Sequence, residues 1–194
     1  MTPEEVTAVL EQTGALLKGH FLLSSGLHSD RYVQCALALS QTGVAMFLGG
    51  ALARRCATGH VDLVAGPALG GIVIAHETAR GLGVPCIFAE RADGVMTFRR
   101  GFRVEPGQRV VIVEDVITTG KSVREVAALV LAAGAEVAGF GCIADRSRGG
   151  AALPAPMAAL VALDFQAYEP AACPLCRAGG PPPVKPGSRP GAGS

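Results

Sequence analysis

Apolar residues between Val61 and Ala144 fall into short continuous runs that alternate with stretches of helical spacing. The runs are rich in β-branched residues, as in strands buried inside a parallel sheet. This alternation predicts an α/β fold with a mostly parallel sheet flanked by helices. The predicted strands are Val61–Ala65, Cys86–Ala89, Val110–Val113 and Val137–Ala144, and the predicted helices run from the Gly66–Gly71 turn to Arg80 and from Ser122 to Ala133.

A helix, a hairpin and a second helix are predicted before this region. Thr2 has the position of an N-cap in a capping box, and Gly14 ends the helix that it begins. Phe21–Gln34 has the pattern of two short strands joined by a polar turn. The second helix is predicted to run from an N-cap at Ser40 to Arg55.

The chain is predicted to fold as a single domain with a C-terminal tail. Residues 1–170 form the domain, in which residues 1–40 supply the N-terminal helix and a small hood of strands, and Leu160–Phe165 is the final strand. Residues 171–194 are rich in Cys, Pro and Gly, a composition that buries little apolar surface. We expect a poorly ordered end from Pro186 to Ser194.

Composition and charge indicate the compartment of the protein and the classes of partner that it does not bind. The 194 residues are 49% hydrophobic, enough for a sizeable core, and the formal net charge of +1 does not favour binding to nucleic acid or an anionic membrane. The N-terminus lacks the pattern of a secretory signal. The longest apolar stretch, Val126–Ala144, is broken by Glu136 and several glycines. We therefore expect a cytoplasmic protein with no nucleic-acid or membrane partner.

Six cysteines in a cytoplasmic chain are expected to be reduced. Four of them lie singly among apolar residues and are interpreted as small core residues: Cys35, Cys56, Cys86 and Cys142. Cys173 and Cys176 lie in the tail, where two ligands cannot complete a tetrahedral zinc site, although two tails meeting across a dimer could. The histidines show no zinc-type spacing: His20, His28, His60 and His76. The cysteine pair is therefore interpreted as mobile and reduced, and no metal site is predicted.

The chemistry of the chain is concentrated after the run Val110–Val113. Glu114 and Asp115 precede a Thr-Thr-Gly turn that opens into the next predicted helix. Asp115 stands where a nucleotide-triphosphate P-loop needs glycine, which disfavours that class of site. A ribose phosphate fits better, because carboxylates accept hydrogen bonds from sugar hydroxyls while turn amides and hydroxyls donate to a phosphate. The alternative is an ordinary strand, turn and helix with two solvated acids.

The segment Val110–Ser122 resembles the signature of type I phosphoribosyltransferases, which bind phosphoribosyl pyrophosphate. The resemblance implies the type I phosphoribosyltransferase fold and a Mg²⁺ ion carried mainly by the pyrophosphoryl substrate. Regulatory proteins that bind the ligand without catalysis share this motif. The residues expected to bind the sugar donor are Arg91, Glu114, Asp115, Val116, Ile117, Thr118, Thr119, Gly120, Lys121 and Ser122.

Two further stretches could complete a pyrophosphate site. The glycines of the Gly66–Gly71 turn would let backbone amides approach a ligand, although such turns also serve tight packing. Arg91–Arg103 is basic and long enough to close over a polyanion; its alternative is a solvated hairpin edge. Arg99 and Arg100 are assigned to catalysis with Asp115, because their charge would offset that of the pyrophosphate as the glycosidic bond breaks.

A second resemblance concerns the base. Phe21-x-Leu-x-Ser-Gly-x-x-Ser-x-x-Tyr32 is similar to the N-terminal signature of orotate phosphoribosyltransferases, and Asp145-Arg146 matches a pair in which the arginine contacts orotate. A guanidinium fork suits the carboxylate of orotate. The resemblance implies that Thr118 and Arg146 bind orotate, that orotidine monophosphate forms in pyrimidine synthesis, and that the enzyme is a homodimer. The alternative for Arg146 is a surface salt bridge with Asp145.

The chain departs from this family in several charged positions. Many members carry lysine where this chain has Ser24 and Gly70, and the lysine and histidine of the mobile loop are missing between Ala92 and Phe98. A phosphoribosyltransferase for another base and a non-catalytic regulator stay open as alternatives. The regulator is disfavoured because no helix-turn-helix segment or basic nucleic-acid face precedes the domain.

Overall fold

The computed structural model describes residues 1–23, 25–57 and 59–186, and a six-stranded sheet lies at its centre. The strand order is β5-β4-β3-β6-β7-β8, and all neighbours are parallel except the antiparallel pair β4 and β5. The predicted α/β fold with a mostly parallel sheet is confirmed. The strands are β3 (Leu63–Pro67), β4 (Cys86–Ala92), β5 (Val95–Phe98), β6 (Arg109–Ile117), β7 (Glu136–Asp145) and β8 (Met157–Ala162).

Helices cover both faces of this sheet, which explains why the run Val110–Val113 is apolar at every position. Val111 and Val113 belong to the core cluster beneath α1 (Pro3–Gln12), α3 (Thr42–Cys56) and α4 (Gly70–Leu82). Val110 and Ile112 belong to the cluster on the opposite face, beneath α5 (Lys121–Ala132). None of the helices within the described ranges is long and apolar enough to cross a membrane.

The first predicted helix is confirmed, whereas the start of the second is wrong. In α1, Thr2 Oγ1 accepts a hydrogen bond from Glu5 N at 3.3 Å, and the Glu5 carboxylate accepts one from Thr2 N at 2.8 Å. Ser40 does not begin a helix but ends a short one, α2 (Cys35–Leu39). Its hydroxyl donates back to the carbonyl of Leu37 at 2.7 Å, and the helix that follows, α3, begins after Gln41 without a side-chain cap.

The predicted N-terminal hairpin is confirmed and carries a third strand. β1 (Leu16–Leu22) and β2 (His28–Val33) are antiparallel, and β9 (Ala167–Tyr168) pairs with β2. The chain then forms a 3₁₀ turn and α6 (Pro174–Arg177) and returns along β1, where Val184 bridges to Phe21. The tail is therefore attached to the hairpin up to this point. The expectation of a poorly ordered end concerns residues 187–194, which lie outside the described residues.

The predicted long loop after Ala89 is wrong over its first half, because β4 continues to Ala92 and turns back into β5. Ala92 pairs with Val95 across the two-residue turn Asp93-Gly94. Both turn residues have positive φ, 51° and 83°, as a type I′ hairpin turn requires. The Asp-Gly pair is the sequence signal for this hairpin, and β5 lies at the edge of the sheet, so the alternative of a hairpin edge is confirmed for this part of the basic stretch.

Candidate active site

The chain order of the sheet reverses between β3 and β6. From β3 the chain continues outward to β4, and from β6 it continues to β7 on the other side. In open α/β sheets ligands bind outside the carboxyl ends of the strands at such a point. The turns that follow β3 and β6 therefore border one candidate site.

Glu114 and Asp115 lie within β6 rather than in the turn after it. The strand was predicted to end at Val113, but Glu114 lies opposite Cys142 of β7 and the pairing continues beyond it. Burial, aided by the charge of Asp115, raises the pKa of Glu114 to about 8. Burial also raises the pKa of Asp115, against the hydrogen bond at 2.9 Å that Val116 N donates to its carboxylate. The alternative of two solvated acids is therefore wrong.

The turn 118–120 presents polar groups at the start of α5. Thr118 and Thr119 are exposed, and Gly120 adopts a left-handed conformation with φ 70°. Gly120 offers the helix no side-chain cap. Lys121 N donates to Thr119 Oγ1 at 3.3 Å, and the amides that follow it face the turn. The predicted phosphate-binding residues thus come together, with Lys121 exposed and Ser122 half-buried in the first turn of α5.

The glycine turn after β3 packs against this end of β6. A Cβ atom at Gly70 would lie 2.7 Å from Asp115 Oδ1, and one at Gly66 or Gly71 would lie 3.1 or 3.0 Å from the carbonyl oxygen of Val113. Tight packing, the alternative interpretation, therefore accounts for these glycines. The same packing places the backbone of the glycine turn beside Asp115, where a single ligand could contact both.

The arginines of the basic stretch are engaged in ion pairs in this conformation. Arg91 pairs with Glu125 of α5, the helix that follows the turn 118–120. Arg100 donates two hydrogen bonds to Glu90 at 3.1 and 3.2 Å, and Arg99 lies 3.9 Å from the same carboxylate. The catalytic role of Arg99 and Arg100 stays a prediction, because their charges are directed at Glu90.

Arg146 follows β7 and lies beside the turn 118–120. Its backbone N–H donates to the carbonyl of Ile117 at 2.8 Å, and its guanidinium lies 4.9 Å from the ring centroid of Phe165. Burial lowers its pKa, while Tyr32 of β2 is near enough to oppose that effect. In the described part of the chain, the buried Nε of Arg146 has no hydrogen-bond partner. An unpaired buried donor is costly, so this geometry suits an anionic ligand.

The alternative assignment of Arg146, a salt bridge with Asp145, is wrong. Asp145 Oδ1 accepts a hydrogen bond from Ser147 N at 2.7 Å. Ser147 Oγ is a second buried polar atom without a partner among the described residues. The sequence-based prediction missed Ser147, and no motif indicates it, because its missing partner becomes evident only once the strands are assembled.

The N-terminal signature, Phe21 to Tyr32, contains residues that hold the hairpin together and residues near the candidate site. Ser29 is fully buried and its hydroxyl donates to the carbonyl of Gln166 at 2.8 Å, which fastens β2 to the chain before β9. Tyr32 packs against Phe21, with ring centroids 5.8 Å apart, on the side of the hairpin near Arg146. The departure from the family at Ser24 lies outside the described residues.

Comparison with known proteins shows which family the chain resembles. Residues 44–156 match the family model of the phosphoribosyl transferase domain. The chain is 51% identical over 189 residues to an orotate phosphoribosyltransferase of Pelotomaculum thermopropionicum, covering 97% of this chain and 99% of that relative.

Two solved structures show the same architecture. Orotate phosphoribosyltransferase from Aeropyrum pernix has a TM-score of 0.69 at 25% identity, over 81% of this chain and 93% of that one. An adenine phosphoribosyltransferase from Thermoanaerobacter pseudethanolicus has a TM-score of 0.61 at 19% identity, over 69% and 88% of the two chains, and shows the shared fold alone. The chain belongs to the phosphoribosyltransferase family and, within it, to the orotate phosphoribosyltransferases.

Proposed function

We propose that the protein transfers a phosphoribosyl group from phosphoribosyl pyrophosphate to orotate, forming orotidine 5′-monophosphate and pyrophosphate in pyrimidine synthesis. The buried Nε of Arg146, which lies beside the turn 118–120 and has no partner in the described ranges, carries this proposal. Orotate has a carboxylate on a planar ring, which a guanidinium binds well. A base without a carboxylate would offer the guanidinium only neutral acceptors, which form weaker hydrogen bonds, and would bind less tightly. The identity of 51% to an orotate phosphoribosyltransferase, over 97% of this chain, supports the same substrate.

The sugar donor would extend from the turn 118–120 to the glycine turn. Thr118, Thr119 and Ser122 hydroxyls and the first amides of α5 would bind the 5′-phosphate. Glu114 and Asp115 would accept hydrogen bonds from the ribose hydroxyls. The pyrophosphate would then lie beside the glycine turn, whose backbone approaches Asp115.

A Mg²⁺ ion would be held mainly by the pyrophosphoryl group of the donor. The acidic pair fits a cation or sugar hydroxyls, because burial makes its charge costly and no basic group lowers either pKa. When bound, the ion supplies positive charge that stabilises the departing pyrophosphate.

The transfer breaks the bond between the anomeric carbon and a pyrophosphate oxygen and forms a bond from a ring nitrogen of orotate to that carbon. Pyrophosphate keeps the electron pair of the broken bond, and the transition state resembles a sugar cation. The attacking ring nitrogen of orotate first loses its proton to solvent, so orotate reacts as the ring-deprotonated anion and no dedicated general base is required. Arg99 and Arg100 would exchange Glu90 for the pyrophosphate when the hairpin closes, which places their charge where negative charge grows.

We further propose a cytoplasmic homodimer. All six cysteines are free, as expected in a reducing compartment. The helices α2, α3 and α4 contact one another and expose large apolar side chains, which a monomer rarely leaves uncovered as a patch. These side chains are Leu37, Met46, Phe47 and Val73.

A base-specificity assay tests the proposed activity. Purified protein is supplied with phosphoribosyl pyrophosphate, Mg²⁺ and one of orotate, adenine, hypoxanthine, guanine or uracil, and the absorbance of the base is followed. We expect turnover of orotate alone. Folded protein that leaves orotate unchanged would contradict the proposal, and turnover of another base would assign the protein to that substrate.

A further inference from the structure

Four potential metal ligands from distant parts of the chain meet beside the hood. The ligand atoms of His20, His28, Cys173 and Cys176 all lie within 4.8 Å of one another. His20 Nε2 is 2.9 Å from His28 Nδ1, and Cys176 Sγ is 3.4 Å from the same His28 atom. The two sulfur atoms lie 3.6 and 3.7 Å from His20 Nε2. The interpretation of a mobile cysteine pair and scattered histidines is therefore wrong.

A β-bulge brings His20 into this cluster. The register between β1 and β2 shifts between Lys18 and Phe21, so His20 and Phe21 are both buried although they are adjacent in a strand. In a regular strand, adjacent side chains point to opposite faces, so one of the two would be exposed. The bulge turns both side chains toward the interior. His28 begins β2, and Cys173 immediately precedes α6, which carries Cys176.

The hydrogen bond on the far side of His20 orients its ring as a ligand. His20 Nδ1 lies 2.9 Å from the carbonyl oxygen of Pro181. A carbonyl only accepts, so Nδ1 carries the proton and the lone pair of Nε2 is directed at the cluster. Histidines that bind metals are commonly held this way, by a backbone carbonyl on the other ring nitrogen.

We propose that His20, His28, Cys173 and Cys176 bind one Zn²⁺ ion in a closed structural site. Tetrahedral zinc with Zn–N near 2.1 Å and Zn–S near 2.3 Å requires ligand atoms roughly 3.3–3.8 Å apart. Three sulfur–nitrogen distances, between 3.4 and 3.7 Å, meet this requirement. The two imidazole nitrogens, now 2.9 Å apart, need to separate by a few tenths of an ångström, and the other pairs of ligand atoms lie within 4.8 Å.

The charge of the four ligands also suits zinc. Two thiolates and two neutral imidazoles neutralise a divalent cation, which matters because His20 and His28 are 7% exposed and Cys173 is fully buried. A tetrahedral set of two sulfurs and two nitrogens favours zinc over magnesium or calcium, which prefer oxygen. Cys176 is exposed, and a cavity of about 450 Å³ that includes His20 in its lining opens beside the cluster, so the ion has a route in.

The ion would fasten the C-terminal segment to the hood. Cys176 and His20 are 156 positions apart, and a cross-link that closes so long a loop removes much entropy from the unfolded chain. Val184 continues the attachment, since Leu22 N donates to its carbonyl at 2.9 Å and its N–H donates to the carbonyl of His20 at 2.8 Å. The same hairpin carries Tyr32, so the ion would also hold the base side of the site, a consequence that rests on the proposed function.

Metal analysis of the full-length protein tests the site. We expect about one zinc per chain after purification, released when a mercurial reagent modifies the thiols. Cobalt loaded into the metal-free protein should give the visible bands of tetrahedral Co²⁺ and a thiolate charge-transfer band. Cys173→Ser and Cys176→Ser should lose most of the zinc. The matched controls Cys86→Ser and His76→Gln lie outside the cluster and should keep it.

Three outcomes would overturn the proposal. The first is a folded protein that takes up neither zinc nor tetrahedral cobalt. The second is a count of four rather than six free thiols in denaturant with a chelator, which would indicate a disulfide. The third is full zinc content in the Cys173→Ser, Cys176→Ser double variant. If the variants do not fold, the wild-type protein decides. A strong chelator should lower its melting temperature and added zinc should restore it, and an unchanged melting temperature overturns the site. None of these measurements depends on orotate turnover.

Discussion

At the scale of single residues, the candidate site is made of charged groups that the fold holds partly out of water. Arg146 has a buried Nε with no partner among the residues that the structure describes, and Glu114 has a pKa raised to about 8. Both arrangements cost free energy in the empty site, and a ligand with the complementary charge or hydroxyls offsets that cost. Substrate affinity and stability are therefore linked at these positions.

Replacing Arg146 by alanine should weaken orotate binding selectively. A hydrogen bond between charged groups contributes about 1.5–3 kcal/mol, so the KM for orotate should rise by roughly 10- to 150-fold. The KM for phosphoribosyl pyrophosphate should change far less. Arg148→Ala is the matched control, because Arg148 bonds to the carbonyl of Phe165 and pairs with Asp164. Equal effects of Arg146→Ala on both substrates would contradict the assignment.

Glu114 predicts a pH dependence of stability in the ligand-free protein. Its pKa is about 8 in the fold and 4.5 ordinarily, so between these values the folded chain keeps a proton that the unfolded chain releases. Stability should therefore fall as the pH rises through this window and level off above about 8. Glu114→Gln stays neutral and should remove the contribution of Glu114 to this decline, whereas Asp115, whose pKa is also raised, keeps its own contribution. Thermal melts across the pH range provide the measurement, and parallel curves for the two proteins would refute the prediction.

At the scale of elements, the glycine turn and the end of β6 form one packed unit. Gly70→Ala would place a Cβ atom 2.7 Å from Asp115 Oδ1, and the carboxylate is the part that can move. We expect a higher KM for phosphoribosyl pyrophosphate with little loss of melting temperature. Gly43→Ala on α3 has nothing within 4 Å of the added Cβ and should leave KM unchanged. An unaltered KM for phosphoribosyl pyrophosphate in Gly70→Ala would contradict the proposal that Asp115 binds the sugar donor.

At the scale of the whole molecule, the exposed apolar side chains of α2, α3 and α4 predict where two copies meet. Phe47 is 51% exposed, and Phe47→Glu should weaken association by at least about tenfold, or 1.4 kcal/mol. Leu131→Glu is the control, because Leu131 has a similar exposure of 53% but lies on α5, on the opposite face of the sheet. Sedimentation velocity measures both. A wild-type monomer, or an intact Phe47→Glu dimer, would rule out this surface.

Much of the fold and the phosphate side of the site could be predicted from local patterns. The capping box of α1, the apolar runs of the sheet and the acidic pair before Thr118–Gly120 each depend on neighbours within a few positions. Boundaries were less accurate where pairing decides them, since β6 extends past Val113 because β7 lies beside it. The Asp93-Gly94 turn was also predictable, because both residues are common at positive φ in hairpins.

The sequence by itself determined the order of elements and the chemistry of the turn 118–120, because periodicity and local hydrogen bonding act between neighbours in the chain. Only the tertiary structure decided which distant groups meet. In the described part of the chain it buries Arg146 Nε and Ser147 Oγ without hydrogen-bond partners, and it brings two histidines of the hood to two cysteines of the tail. No local spacing predicts such a cluster, because a contact across 156 positions forms only when sheet pairing and core packing offset the entropy of closing the loop.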